Sequence, residues 1–145
     1  MEGLFRGKRI DNKEWVHGHY IIYREKSNPQ LEIHSIYSGL SHEAPEVVFQ
    51  ETVGRYSGKK DNQDREIFEH DIFEEVKHEN DDIGRYYVCT WVDEWSRFVW
   101  LSISDFWDYQ DNGVKHIENI PMINTFGLNI EHMSYVGNIF DNIDF

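Results

Sequence analysis

The sequence predicts a mainly β fold, and three observations predict it. Several windows alternate apolar and polar residues with period two, while few show the 3.6-residue period of an amphipathic helix. These windows are short and separated by polar clusters of the residues that favour turns. Aromatic residues make up 15% of the chain and hydrophobic residues 39%, enough to drive folding. At 145 residues the chain has the length of one domain or two small ones. Many short strands with regular turns favour a small barrel or sandwich, which hides unpaired sheet edges.

The elements follow in order. Leu4 to Arg9 and Trp15 to Tyr23 alternate and flank Asp11-Asn12-Lys13, a polar triplet tolerant of left-handed backbone, so they predict a hairpin. On the second strand Val16, Gly18, Tyr20 and Ile22 share one face; Trp15, His17, His19, Ile21 and Tyr23 share the other. Both faces are partly apolar. That predicts a strand covered on two sides, or one whose aromatic face meets another subunit. Residues 24–30 read as a loop, Leu31 to Tyr37 as a strand, Ser38 to Pro45 as a loop and Val47 to Phe49 as a short β segment. Thr52 to Ser57 is a further strand, ended by a polar turn over residues 58–64.

From Glu66 to Val76 two short apolar pieces flank a tight Glu69-His70-Asp71 corner. Asn80 to Gly84 is a turn. Tyr86 to Val92 and Phe98 to Ile103 are rich in β-branched and aromatic residues and pair across Asp93-Glu94-Trp95-Ser96. Residues 104–130 are irregular, with room for a helical turn. Met133 to Val136 is a closing strand before Gly137. Gly7, Gly18, Gly54 and Gly58 fall in or beside strands, where glycine permits a bulge or a close backbone approach.

Charge narrows the function classes. Fourteen basic and twenty-seven acidic residues sum to −13, which argues against a nonspecific grip on nucleic acid. Residues 1–72 carry ten basic and thirteen acidic side chains, net −3; residues 73–145 carry four and fourteen, net −10. The acidic half reads as a soluble surface kept apart by like-charge repulsion, or as one that meets a basic partner or mimics a phosphate backbone. No apolar run approaches the ~20 residues that span a bilayer, and MEGLFRGKRI lacks the apolar stretch of a secretory signal. The single cysteine, Cys89, leaves no intrachain disulfide and suits a reducing compartment, so the expectation is a cytoplasmic protein without a membrane partner.

Candidate chemistry is sparse. His78, Glu79, Asp81 and Asp82 could converge on a metal ion, but they sit in a hydrophilic turn where such residues are usually solvated. Glu69-His70-Asp71 could act in acid–base work; the plainer reading has Asp71 accepting from backbone N–H groups with His70 at the bend. Cys89 lies in an apolar strand with no neighbouring His to lower its pKa, and so reads as a small hydrophobe. Trp91, Trp95, Trp100 and Trp107 could stack bases, yet the positive charge that accompanies such platforms is scarce in this half, so core or subunit interface is the better reading. Arg6, Lys8, Arg9, Lys59 and Lys60 could line one basic face. No phosphate-binding glycine loop, paired CxxC, HExxH or GxSxG occurs. The expectation is a non-enzymatic protein with no catalytic, cofactor or metal residues to name.

Four segments resemble one family. Phe5-Arg6-Gly7-Lys8-Arg9 with Asn12-Lys13-Glu14-Trp15-Val16-His17-Gly18 is similar to the opening "FRGK…NGEWVYG" of the YopX family of phage and prophage proteins. Glu51 to Gly58 resembles its "ETVGQYTG", Ile67 to Ile72 its "IYEGDIV", and Val136 to Asn142 its "IGNIYEN". The four occur in the family's order from residue 5 to residue 142. The resemblance implies an N-terminal β region over residues 1–64 and an SH3-like small β-barrel over 65–145, carried by a phage or prophage in a bacterial cytoplasm. It implies no biochemical activity. Where this chain has His70 the family usually has Gly, which suggests a bend of positive φ that His adopts at a cost of about 1 kcal/mol. Where it has Asn12-Lys13 the family often has Asn-Gly. The leading expectation is an interaction or assembly protein acting as a homo-oligomer, with a host or phage protein as a further partner. The rivals are a regulator of a nucleic-acid transaction, by direct binding or by acidic mimicry, and a metal-dependent enzyme.

Overall fold

A computed structural model describes residues 4–39, 44–75, 85–118 and 133–141, and among them the chain forms ten strands and one α-helix. The chain divides into two compact units, Met1–Tyr56 and Ser57–Phe145. No helix among the described residues is long and apolar enough to cross a membrane.

The first unit contains β1 (Phe5–Lys8), β2 (Trp15–Arg24), β3 (Glu32–Tyr37), β4 (Glu46–Val47) and the start of β5 (Gly54–Lys60), which runs across the boundary. They form a sheet in the order β4-β3-β2-β1-β5. The expected first hairpin is present: β1 and β2 pair antiparallel with Phe5 opposite Gly18 and Lys8 opposite Trp15. Its turn carries Lys13 at φ 60°, and Arg9 N–H donates to Glu14 O at 2.9 Å. β3 then pairs with β2 from His19 opposite Tyr37 to Arg24 opposite Glu32. Past β4 the chain returns to the end of β1, where Ile10 N–H donates to Val47 O at 3.1 Å and Phe49 N–H donates to Lys8 O at 2.9 Å. The sheet thus curls over Ile36 and Val48, the two buried apolar side chains among the described residues of this unit.

That curl explains two glycines. A Cβ on Gly7 would lie 3.1 Å from Val48 Cβ, and one on Gly18 would lie 2.0 Å from the Tyr37 carbonyl oxygen. The close backbone approach expected at both positions is therefore what the fold uses.

The second unit contains β6 (Glu66–Phe68), β7 (Asp71–Glu75), β8 (Arg85–Val92), β9 (Arg97–Ser102), α1 (Ile103–Asn112) and β10 (Met133–Asn138). Its antiparallel sheet has the order β10-β7-β8-β9. The expected β8–β9 hairpin runs from Tyr87 opposite Ser102 to Val92 opposite Arg97, closed by a short 3-10 turn with Ser96 in the left-handed region. β10 occupies the place expected of a closing strand and pairs with β7.

Alternation along these strands sends side chains to two faces. One carries Ile72, Val88, Val92, Val99 and Leu101, packed with Phe106 of α1 and with Ile117; the other carries Ile67, Phe73, Cys89, Trp100 and Met133. The second cluster is tied by edge-on ring contacts of Phe73 with Trp100 at 5.3 Å and with Tyr135 at 5.6 Å.

Two expectations for this region need correction. First, a full α-helix spans Ile103–Asn112: it starts on the last residue of the expected strand Phe98–Ile103 and fills the beginning of the stretch 104–130 expected to be irregular with room for a helical turn. Ser102 caps it by accepting from Asp105 N–H at 3.2 Å, and Gly113 at φ 83° ends it with its N–H donating to Tyr109 O at 2.9 Å. Second, among the described residues neither sheet closes into the expected SH3-like barrel. After β9 the chain leaves the sheet as α1 and covers one of its faces, so the sheet stays open between β10 and β9.

Candidate interaction surface

The strongest acid–base candidate in the sequence proves to be a corner of the fold. β6 and β7 meet at Glu69-His70, where His70 takes φ 81°, the conformation that the family's glycine suggests. His70 N–H donates to Cys89 O at 2.8 Å, and His70 O accepts from Ile139 N–H at 3.1 Å. Its ring sits edge-on to Phe140 at 5.1 Å and to Phe106 at 6.0 Å, with Nε2 3.5 Å from Glu69 Oε2. Asp71 is buried, and its Oδ2 accepts from Phe68 N–H at 2.8 Å. This is the plainer of the two readings weighed above: Asp71 holds the turn and His70 fills the bend.

The other candidates disperse. His78, Glu79, Asp81 and Asp82 lie outside the described residues. Among the described residues no three His, Cys, Asp or Glu side chains gather to hold a metal ion. Cys89 is fully buried in the second cluster. Trp100 is buried with it; Trp91 packs edge-on to Phe98 at 5.0 Å and donates to Asp93 at 2.6 Å; Trp95 carries the Arg97 guanidinium 5.3 Å above its ring. Trp107 alone of the four is largely exposed. Arg6 and Lys8 lie 4.6 and 5.6 Å over the Trp15 ring. Arg9 pairs with Asp11 at 2.8 Å and Glu46 at 3.0 Å, and the Asp11 hydrogen bond raises its already high pKa. Lys60 lies 3.6 Å from Asp64, and Lys59 is exposed. The expected basic face is largely committed to local partners.

The β2–β3 hairpin brings together a chain of polar groups that sequence reasoning missed. The Tyr20 hydroxyl is hydrogen-bonded to His34 Nδ1. His34 Nε2 lies 3.5 Å from Glu32 Oε2, and Arg24 donates to Glu32 Oε1 at 2.9 Å. Burial, reinforced by Glu32, pushes the Tyr20 hydroxyl above its ordinary pKa; the Arg24 hydrogen bond holds the Glu32 carboxyl below its own. A raised phenol pKa is the opposite of what a nucleophile needs. The signal was the pairing of Arg24 with Glu32 and Ile22 with His34, which appears only once the strand register is known. A separate polar pocket of about 130 Å³ is lined by Asp61, Asn62, Gln63, Arg65, Ser134 and Tyr135. There Arg65 covers the Tyr135 ring at 4.1 Å, and Asp61 Oδ1 accepts from the N–H groups of Gln63 and Arg65, both at 2.9 Å. Neither arrangement places a nucleophile, a base and an electrophile together.

What sets this protein apart is where its apolar side chains go. Thirteen of the fifteen buried hydrophobic residues among those described belong to the second unit. Among the described residues, the large apolar side chains left exposed are Leu4, Ile10, Ile21, Ile22, Tyr23, Leu31 and Val47 in the first unit, and Trp107 in the second. Charge divides the other way. Residues 1–56 hold seven basic and eight acidic side chains, net −1; residues 57–145 hold seven and nineteen, net −12. The first unit is thus nearly neutral, and among the described residues it leaves several large apolar side chains exposed.

No curated protein matches this chain. The family described as YopX protein matches over residues 4–144, a span that takes in the opening hairpin, the β6–β7 corner and β10. With all but four residues matched, the chain belongs to the YopX protein family.

Proposed function

We propose that the protein is a non-enzymatic interaction or assembly protein of phage or prophage origin, working in the bacterial cytoplasm as a homo-oligomer. One observation carries this reading: among the described residues, the exposed large apolar side chains fall mostly in the first unit, while those of the second are mostly buried. Each such group is about half exposed, so it forgoes part of the about 1.5–3 kcal/mol that full burial contributes, a part that association recovers. Among the described residues, Asp71 and Asp61 hold turns and Arg9, Arg24 and Glu32 form ion pairs, which supports a non-catalytic reading. Sedimentation velocity over a concentration series tests the reading. Self-association rising with concentration is expected, and a strict monomer at tens of micromolar, about the range of a weak specific contact, removes the oligomer.

A second reading rests on the −12 charge of residues 57–145: this unit occupies the basic groove of a nucleic-acid-binding protein. Gel shifts at low salt separate it from direct binding. Mimicry predicts no shifted DNA band and competition with a DNA-binding protein; direct binding predicts a band.

A further inference from the structure

The chain has ten asparagines, and Asn112 is the one followed by glycine. That pairing has a chemistry of its own. The side-chain carbonyl carbon of an asparagine lies within reach of the next residue's backbone nitrogen, and a glycine nitrogen attacks most freely because no Cβ crowds it. A proline successor has no N–H to lose, and a β-branched successor crowds the approach. Those limits disfavour Asn28, before Pro29, and the four asparagines that precede isoleucine. Hydrogen bonds hold others in place: Asn12 Oδ1 accepts from Glu14 N–H at 2.9 Å, and Asn138 Oδ1 accepts from Phe140 N–H at 2.9 Å and Asp141 N–H at 3.0 Å. Asn112 differs. It is exposed, no side-chain hydrogen bond among the described residues holds its amide, and a Cβ on Gly113 would meet nothing within 4 Å.

Asn112 is also the last residue of α1, and Gly113 N–H donates to Tyr109 O at 2.9 Å as the helix cap. While that bond holds, the nitrogen is engaged and the helical backbone keeps it from the side chain. Fraying of the last turn releases both, and helix ends open at little cost. We propose that Asn112 is a self-modification site, where the chain deamidates through Gly113 at a rate set by the α1 cap. The Gly113 nitrogen forms a bond to Asn112 Cγ, the Cγ–Nδ2 bond breaks, and the backbone amide proton leaves with Nδ2 as ammonia. Water then opens the five-membered imide at one of its two carbonyls and leaves aspartate or isoaspartate. Net, one water is consumed and one ammonia released, with no oxidation or reduction. Either product sets a carboxylate at the negative end of a helix that already carries Asp108 and Asp111 and has no basic residue in its last turn. The reaction thereby loosens the helix that holds Phe106 in the first cluster.

Peptide mass mapping over time tests it, on the folded protein and on the same protein unfolded in guanidinium chloride, both in mildly alkaline buffer. The peptide holding Asn112 is expected to gain one dalton before any other asparagine peptide, and to do so about tenfold more slowly in the folded protein than in the unfolded chain. Gly113→Ala, compared with the parent in the unfolded state where its own folding plays no part, should slow the gain at least about tenfold. If another asparagine, or none, reacts first in the folded protein, or if Gly113→Ala reacts as fast as the parent, Asn112 is not the site. Equal rates in the folded and unfolded samples would show that the cap does not set the rate. Asn112→Asp, which mimics the aspartate product, should melt roughly 1–4 °C below Asn112→Gln; equal melting would remove the loosening of α1.

Discussion

The two units solve the same problem of apolar side chains in opposite ways. In residues 57–145 a four-stranded sheet carries a cluster on each face, with α1 laid over one of them. Among the described residues of 1–56 a sheet curls over Ile36 and Val48, leaving its other large apolar groups half-buried or exposed. The second unit draws its stability from side-chain burial. The first depends more on backbone: the ladder of β1 to β4, the return of Val47 and Phe49 to β1, and glycines that let these segments approach. A strand pattern therefore has two outcomes, and only the neighbours decide whether its apolar face is covered or left exposed.

Substitutions can break that comparison. The largest effect is expected at Phe106, whose truncation to Ala removes a ring from the centre of the first cluster and should destabilise by about 3–5 kcal/mol. Ile22→Ala, at a side chain 51% exposed, should change stability by no more than about 0.5 kcal/mol. Chemical denaturation measures both, and equal losses would dissolve the contrast. Next comes Gly18→Ala, which sets a methyl 2.0 Å from the Tyr37 carbonyl oxygen. It should destabilise by about 2 kcal/mol or more, and a stability equal to the parent's would show that the first unit does not depend on this approach.

The smallest effects sharpen the comparison at a shared backbone conformation. Lys13 and His70 both hold positive φ, and glycine relieves that strain. Lys13 is exposed, so Lys13→Gly should stabilise by roughly 0.5 kcal/mol, allowing for the added freedom of the unfolded chain. The same change at His70 also removes a ring packed against Phe106 and Phe140, and should therefore destabilise by about 1–2 kcal/mol. Differential scanning of the two variants should give melting shifts of opposite sign.

Most strands were legible in the sequence because a side-chain period of two survives without tertiary context: β1, β2, β3, β8, β9 and β10 fall where Leu4–Arg9, Trp15–Tyr23, Leu31–Tyr37, Tyr86–Val92, Phe98–Ile103 and Met133–Val136 alternate or cluster. α1 escaped because its apolar residues, Ile103, Phe106, Trp107 and Tyr109, span little more than its first two turns and only Phe106 is buried; the start signal Ser102-Ile-Ser-Asp105 was a further clue. The two partly apolar faces of β2 were readable, but which of them stays open depends on β3, β4 and the return of Val48 to Arg9. The Tyr20–His34–Glu32–Arg24 chain was not readable, since it spans two strands and a one-residue slip in their register would scatter it.

The His70 bend has a consequence for how the chain matures. One residue joins Cys89 through its N–H, Ile139 through its carbonyl, and the rings of Phe106 and Phe140 through its own. These anchors lie up to 70 positions further along the chain. During synthesis the bend thus waits for segments not yet translated, and it locks only once Ile139 and Phe140 have left the ribosome. Until then the nascent second unit has no way to settle this joint, and a chain stalled before that point presents unfinished strands to whatever chaperone or protease is at hand.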